Sequence, residues 1–417
     1  MRILKLTPAI EKELLAARQV RDVDAEKVAS GIVERVRDCG DAALFEFVRR
    51  FDNAEFREKD LQIGKSEIRV ARKRVSAEFL RAIRQASRNI RAVAKRQLPK
   101  PWIVEVEPGV VVRQRVTPIE SIGCYIPGGR FALVSTLLMT VIPAQVAGVF
   151  KIIVVCPKPS DELLAVADFL GISRILRIGG AQAIAALAYG TGSVPRVEKI
   201  FGPGNRFVTA AKQIVSSDCA IDLPAGPTEA IVLANRGNAR WIAADLLAQA
   251  EHAPDAGSFL VTSSEKFAES VAQEVDAQLK QLPETNPAQQ SMKAVGAVLI
   301  ASSQKTACEF VNRFAPEHLS LPSPSNSLLA QIKSAGTVFV GPWGAQSFGD
   351  YVSGSNHVLP TGGWARRRGG LSAADFVKCY TVQEITRIGM KRLAASAEVL
   401  ATAEGLLAHR NAVSVRR

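Results

Sequence analysis

The chain is short of paired cysteine, aromatics and histidine. Its six cysteines, Cys39, Cys124, Cys156, Cys219, Cys308 and Cys379, lie far apart with no Cys-x-x-Cys pair. That spacing excludes a small disulfide framework and reads as reduced thiols. Aromatic residues make up 6% of the chain, and the basic stretch from Lys65 to Lys95, with Phe79 alone, lacks the aromatic interleaving a base-stacking surface would require. There is no low-complexity tract and no internal repeat. Export is not expected, because Glu11 and Lys12 interrupt the N-terminus before any apolar core of signal-peptide length. A cytoplasmic protein is the expectation. The twenty uncharged residues from Phe131 to Phe150 match a bilayer span in length. Pro143, Gln145 and three hydroxyl side chains within that run make it instead a helix buried inside a domain, and no membrane partner is expected.

What the chain does have is length and an ordinary apolar content. At 417 residues with 47% hydrophobic side chains, it needs more than one core. The net charge of +13 is spread along the chain. This reads as solvated basic faces, so no nucleic-acid partner is expected. Residues 1 to about 100 read as helical, with Thr7-Pro8 as a helix start, Cys39-Gly40-Asp41 as a break between helices, and Ser76 opening a long amphipathic run. Alternating valines around Pro108-Gly109 predict a hairpin that begins the first sheet. Beyond residue 120, short apolar strands at 122–126, 152–155, 175–178 and 200–201 alternate with glycine turns and helices. A second series follows at 230–233, 259–262, 295–300 and 337–340. The fold class is therefore α/β: two related domains, each with a mostly parallel sheet covered on both faces, and a cleft between them. After Thr381 the pattern turns helical, with one or two terminal helices across Met390 to His409.

Four histidines, His252, His318, His357 and His409, each fall in a segment with other polar marks. Gln249 and His252 stand three apart on the end of a helix that Pro254 stops, so they share one face. A capped helix end would look the same. Glu317 and His318 stand side by side after Pro316, where a turn allows both into one cleft, as acid–base chemistry needs. An exposed acid beside a capping histidine fits the spacing equally. His357 and Asp350 lie in a long glycine-bearing loop, and Glu404 and His409 near the end of the chain. Gln249, His252, Asp350 and His409 together make an N/O donor set suited to zinc or a similar divalent ion. The glycine turns read either as a cofactor cradle or as ordinary α/β turns. No Gly-x-Gly-x-x-Gly is present, and Gly202-Pro203-Gly204-Asn205 lacks the third glycine.

Seven segments in order, Tyr125-Ile126-Pro127-Gly128-Gly129, Gly179 to Leu187, Phe201 to Asn205, Pro224 to Glu229, Gln249 to His252, Phe314 to Leu319 and Asn356 to Thr361, closely resemble the histidinol dehydrogenase family over essentially the whole chain. The resemblance implies a zinc- and NAD-dependent enzyme that takes L-histidinol to L-histidine in two oxidations, as the last step of histidine biosynthesis. It implies Gln249, His252, Asp350 and His409 as metal ligands, Glu317 as the base that activates water, and His318 as the base toward alcohol and hydrate. His357, Glu404 and Thr228 match substrate-contacting positions, alongside the metal ligands and the Glu317–His318 pair. Tyr125, Gln182 and Asn205 match NAD-contacting ones. It also implies a homodimer whose sites are shared, with Glu404 and His409 supplied by the other chain. The expected division is an N-terminal helical segment 1–24, a first α/β domain of 25–124 plus 229–371, a second, NAD-binding α/β domain 125–228, and a C-terminal helical dimerisation segment 372–417. Both α/β domains are expected to be incomplete Rossmann-like units. A paralogous zinc dehydrogenase acting on another polar alcohol, such as a sulfonated diol, is the alternative. Thr228 stands where serine is common in the family, and Arg366-Arg367-Arg368 has no role implied by the resemblance.

Overall fold

The structure, a computed structural model, describes residues 1–18, 22–128, 133–223, 226–323 and 326–417. Gly129, Phe131, Pro224 and Ala225 of the segments named above lie outside the described residues. Both series of short apolar strands form parallel sheets. The smaller runs in the spatial order Ile175–Leu176, Lys151–Val155, Ser121–Tyr125, Lys199–Phe201, Ala220–Ile221. Counted from its own first strand this is 3-2-1-4-5, the order of a doubly wound dinucleotide fold without its sixth strand. The larger sheet repeats the same order with Ala297–Ile300, Gly257–Thr262, Glu229–Leu233, His318–Leu321 and Thr337–Val340. One further strand, Arg2–Lys5, pairs in parallel with Ala297–Ile300 at its edge.

Local chemistry accounts for most of the helices. Thr7, Asp22, Ser76, Ser160, Asn205, Asn238, Ser264 and Ser303 each accept a backbone N–H at a helix start, the role their short oxygen-bearing side chains fill best. Val134–Ala147 of the uncharged run is a helix with Thr136 to Ala144 buried. Among the described residues no helix is long and apolar enough to cross a membrane. Cys124, Cys156, Cys219 and Cys308 are buried free thiols, and burial pushes Cys124 up to about 12.

Three expectations are corrected. Residues 1 to 100 are not all helical, because Arg2–Lys5 is a strand; four residues are too few to show a period, and only their partner Ala297–Ile300 makes them extended. The chain is not helical directly after Thr381, since Val377–Ile385 is a strand paired antiparallel with Val110–Pro118 along its whole length. The hairpin Trp102–Glu107 and Val110–Pro118 joins that strand in a separate three-stranded antiparallel sheet instead of beginning either parallel one. The helices of 23–97 cover the smaller sheet. Ala29, Val33 and Leu44 share a core with Ile184 and Val208, and Ile83 and Ile90 share one with Ile122 and Leu137. The expected boundary at 124 runs through the strand Ser121–Tyr125.

A buried ion pair fixes the start of the crossover between the two sheets. Lys212 and Asp222 have side chains 3% and 1% exposed. Lys212 donates to Asp222 and to the carbonyl of Gly202, while Asp222 accepts from the backbone of Gly202 at 2.7 Å and of Leu223 at 2.6 Å. Arg368, the last residue of the basic triplet, donates to the Asp222 carbonyl and pairs with Asp375 at 3.1 Å. The triplet thus contributes one tether from the late loop. Gly202 has φ +114°, and a Cβ there would run into the Tyr125 carbonyl, so only glycine suits this turn. Removing one member of such a pair strands a buried charge. Lys212→Met is expected to cost about 3–5 kcal/mol, with Lys212→Met/Asp222→Asn recovering much of it. Urea midpoints at one fixed protein concentration test this, and an unchanged midpoint for Lys212→Met would refute it.

Candidate active site

In a doubly wound sheet the crevice opens outside the carboxyl ends of the strands where the order reverses. In the smaller sheet that point lies between Ser121–Tyr125 and Lys199–Phe201, which pair with each other. A cavity of 370 Å³ opens there, lined by Phe51, Asp52, Tyr125, Gln182, Asn205 and Phe207 among others. It gathers all three expected cofactor-contacting residues. Tyr125 is buried, and its hydroxyl accepts the Gly180 N–H at 3.1 Å. Gln182 donates to Asp52 at 3.2 Å, and Asp52 also accepts the Gly179 N–H. The amides that open the helix Gly180–Tyr189 are thus already engaged by the protein. Burial outweighs these hydrogen bonds and holds the Asp52 carboxyl above its ordinary range. Asn205 caps the next helix by accepting from Phe207 and Val208 at 3.1 Å.

Asn205 also lines a second cavity of 610 Å³, together with Gly226, Thr228, Ala253 and Asp255. This second space lies against the amino ends of the larger sheet. Glu229–Leu233 and His318–Leu321 pair in parallel with His318 opposite Ala230, so Thr228 and Glu317, each just before its strand, come together. The Thr228 hydroxyl donates to Glu317 Oε2 at 2.5 Å, and the Glu229 N–H reaches the same oxygen at 3.0 Å. Gln249, at the end of the helix Ala239–Ala250 that returns from the far side of the sheet, donates to the Thr228 oxygen at 2.8 Å. Ala315, in the left-handed region at φ 51°, turns the chain from helix into Pro316-Glu317-His318. Such a backbone costs a non-glycine residue about 1–2 kcal/mol and commonly marks a constrained site.

The electrostatics follow from this convergence. His318 is buried, with Nδ1 3.8 Å from Glu317 and Nε2 3.6 Å from Asp350, and its Nδ1 has no hydrogen-bond partner among the described residues. Burial works to lower its pKa, but Glu317 and Asp350 outweigh burial and raise it. Burial works to raise Asp350, and His318, His357 and His252 together hold it below the usual carboxylate range. His357 donates from Nδ1 to the Asp350 carbonyl at 3.0 Å and lies 3.3 Å from the Thr136 hydroxyl. Burial lowers its pKa, keeping it neutral.

The donors present fit a zinc ion of N/O ligation in part. His252 Nδ1 lies 3.1 Å and 3.3 Å from the carbonyls of Ala248 and Gln249 at its own helix end. A carbonyl only accepts, so Nδ1 carries the proton and Nε2 keeps its lone pair for a metal. Gln249 Oε1 accepts one bond, from Gln346 at 3.3 Å, and retains a second lone pair. Asp350 adds an ionised carboxylate. His409 and Glu404 do not join them: both are exposed on the terminal pair of helices Arg387–Ala403 and Leu407–Ser414. Among the described residues no three His, Cys, Asp or Glu side chains form a ready metal site in one chain. Sequence reasoning missed Asp52, Gln346 and Glu229. Asp52 and Gln346 stand in no motif, and Glu229 stands at the end of one without a role, so only packing exposes them.

A family model described as Histidinol dehydrogenase matches residues 15–417. The histidinol dehydrogenase of Aquifex aeolicus is 43% identical over 408 residues, covering 97% of this chain and 96% of that protein. The histidinol dehydrogenase of Photobacterium profundum is 45% identical over 396 residues, covering 93% and 88%. A crystal structure of histidinol dehydrogenase from Elizabethkingia anophelis superposes with a TM-score of 0.94 at 38% identity, covering 100% of this chain and 97% of that one. A family model over nearly the whole chain and relatives above 40% identity place it: the chain belongs to the histidinol dehydrogenase family.

Proposed function

We propose that the protein oxidises L-histidinol to L-histidine with NAD in two successive steps through histidinal, in the cytoplasm, as the last step of histidine biosynthesis. The observation that carries this reading is the contact of Glu317 and His318 with Thr228 and Asp350 beside a cavity that shares Asn205 with the switch-point cavity. A hydride donor and acceptor need such adjoining spaces. Tyr125, Gln182 and Asn205 would hold NAD, a fresh molecule of which, when bound, supplies the hydride acceptor for each oxidation. Gln249, His252 and Asp350, with His409 of a second copy, would hold zinc, which when bound orients the imidazole and amino nitrogens of the substrate. Thr228, His357 and Glu404 complete the substrate contacts.

His318 takes the hydroxyl proton as the carbinol carbon loses its hydride, leaving the aldehyde. Glu317 then takes a proton from water as its oxygen adds to the aldehyde carbon, and His318 returns its proton to the aldehyde oxygen, giving the hydrate and a neutral His318. His318 removes a hydrate proton as the second hydride departs, leaving the carboxylic acid. The Thr228 hydroxyl and the Glu229 amide both bond Glu317 Oε2, which leaves Oε1 as the oxygen toward water. The second-copy reading rests on the exposed terminal helices, where Ile388, Leu400, Leu407 and Val415 are 63%, 64%, 68% and 69% exposed. An apolar surface of that kind is what a partner covers.

Three outcomes are expected. L-histidinol with NAD yields two NADH per substrate, and prior chelation abolishes the reaction until zinc is returned; one NADH, or none, overturns the assignment. Glu317→Gln slows histidinal oxidation by ~10²-fold or more and histidinol oxidation far less, whereas His318→Ala impairs the first oxidation strongly. Stopped-flow NADH traces from each substrate separate the two, and equal loss at both steps for Glu317→Gln contradicts its role. Finally, inactive His318→Ala and inactive His409→Ala chains, reassorted 1:1, recover about a quarter of wild-type activity, because half the dimers are hybrids and each hybrid holds one intact site. If each chain serves its own site, nothing is recovered.

A further inference from the structure

Behind Glu317 lies a second buried carboxylate that the proposed mechanism leaves unused. Glu229 has a side chain 4% exposed and is held by Arg18, itself 11% exposed. The fork is bidentate: Arg18 Nε donates to Glu229 Oε2 at 2.6 Å, and Nη2 donates to Oε1. The remaining nitrogen, Nη1, donates to the carbonyl of Phe314, and the guanidinium lies 3.6 Å above the Phe314 ring. One side chain thus grips both arms of the catalytic corner. Glu229 begins the strand whose amide holds Glu317 Oε2, and Phe314 ends the helix that turns through Ala315 into Glu317. Arg18 arrives from a different part of the chain. It follows the helix Pro8–Ala16, which with the edge strand Arg2–Lys5 packs Leu4, Leu6, Ile10 and Leu14 on the core of the larger sheet.

Two carboxylates in one low-dielectric space repel, and one of them takes up a proton unless a cation intervenes. Burial pushes the Glu229 carboxyl up to about 7, Arg18 works to lower it, and the charge of Glu317 adds to the rise. Arg18 supplies the intervening charge in the geometry that matches a carboxylate best. We propose that Arg18, acting through Glu229, is a positioning residue for the second oxidation: the N-terminal strap sets the orientation of Glu317 as the base toward water. This rests on the assignment of Glu317 to water activation. His318 is less dependent on the strap, because its ring sits between Glu317 and Asp350 and its backbone is paired with both neighbouring strands.

The test compares Arg18→Gln, Arg18→Lys, Glu229→Gln and Arg18→Gln/Glu229→Gln in the zinc-loaded full-length enzyme, with histidinol and histidinal supplied separately. Arg18→Gln is expected to lower kcat for histidinal oxidation by ~10-fold or more while histidinol oxidation and the KM for histidinol change by less than about threefold. Glu229→Gln shows the same selectivity, and the double variant is no worse than the more impaired single, because the two act as one unit. Equal loss at both steps, or additive losses in the double, overturns the proposal and leaves Arg18 a docking residue only. If Arg18→Gln does not fold, Arg18→Lys decides: it keeps the charge but not the fork, and an unchanged ratio of the two steps in folded Arg18→Lys refutes the proposal. Glu317→Gln run in parallel separates the two failures. Selective loss there with none in the Arg18 variants refutes only the role of Arg18, whereas no selective loss for Glu317→Gln refutes the underlying assignment.

Discussion

One parallel strand pairing organises the corner where Thr228, Glu317 and His318 meet. Glu229–Leu233 beside His318–Leu321, in the register that sets His318 against Ala230, brings the residues before the two strands within hydrogen-bond reach. A one-residue slip would turn every side chain of one strand to the opposite face and part Thr228 from Glu317. The register is held from outside the pair as well. Pro316 and Glu317 accept from Gly336 and Thr337 of the next strand connection at 2.9 Å and 3.0 Å, and Gly226 donates to Thr361 at 2.6 Å.

The second constraint is the direction in which the two sheets face the cleft. The smaller presents the carboxyl ends of its strands, where Tyr125 and the Gly202–Asn205 turn follow. The larger presents its amino ends, where Thr228 and Glu317 precede. The chain leaves the smaller sheet after Ala220–Ile221 and enters the larger at Glu229, so the crossover itself carries Thr228, the hydrogen-bond partner of Glu317. The buried Lys212–Asp222 pair and Arg368 hold the start of that crossover and the Gly202 turn in one cluster. A buried pair of this kind gives little net stability, but once its charges are desolvated it permits few alternative arrangements.

Charge is distributed at the site with an economy of cations. Glu317, Asp350 and Glu229 are acidic, and two counterparts serve the three: His318 stands between the first two, and Arg18 holds the third. The four histidines divide in the same way. His357 is buried and neutral, His318 is raised toward the charged form, His252 offers a lone pair, and His409 is exposed on the terminal helices.

The sequence by itself determined the α/β class, the two strand series, the helix starts at Thr7 and Ser76, and the family, because apolar period, capping chemistry and motif order are local properties of the chain. Gln249 with His252 and Glu317 with His318 were legible as pairs for the same reason, since three residues or one residue apart is a distance the backbone sets. Only the tertiary structure decided that Gln249 meets Thr228, that Asp350 meets His318, that Arg2–Lys5 and Val377–Ile385 are strands, and that Arg18 reaches Glu229. Each of these joins residues distant in the chain. Their meeting depends on which sheet edge is free and which helix returns beside it, and that is settled by how the whole core packs.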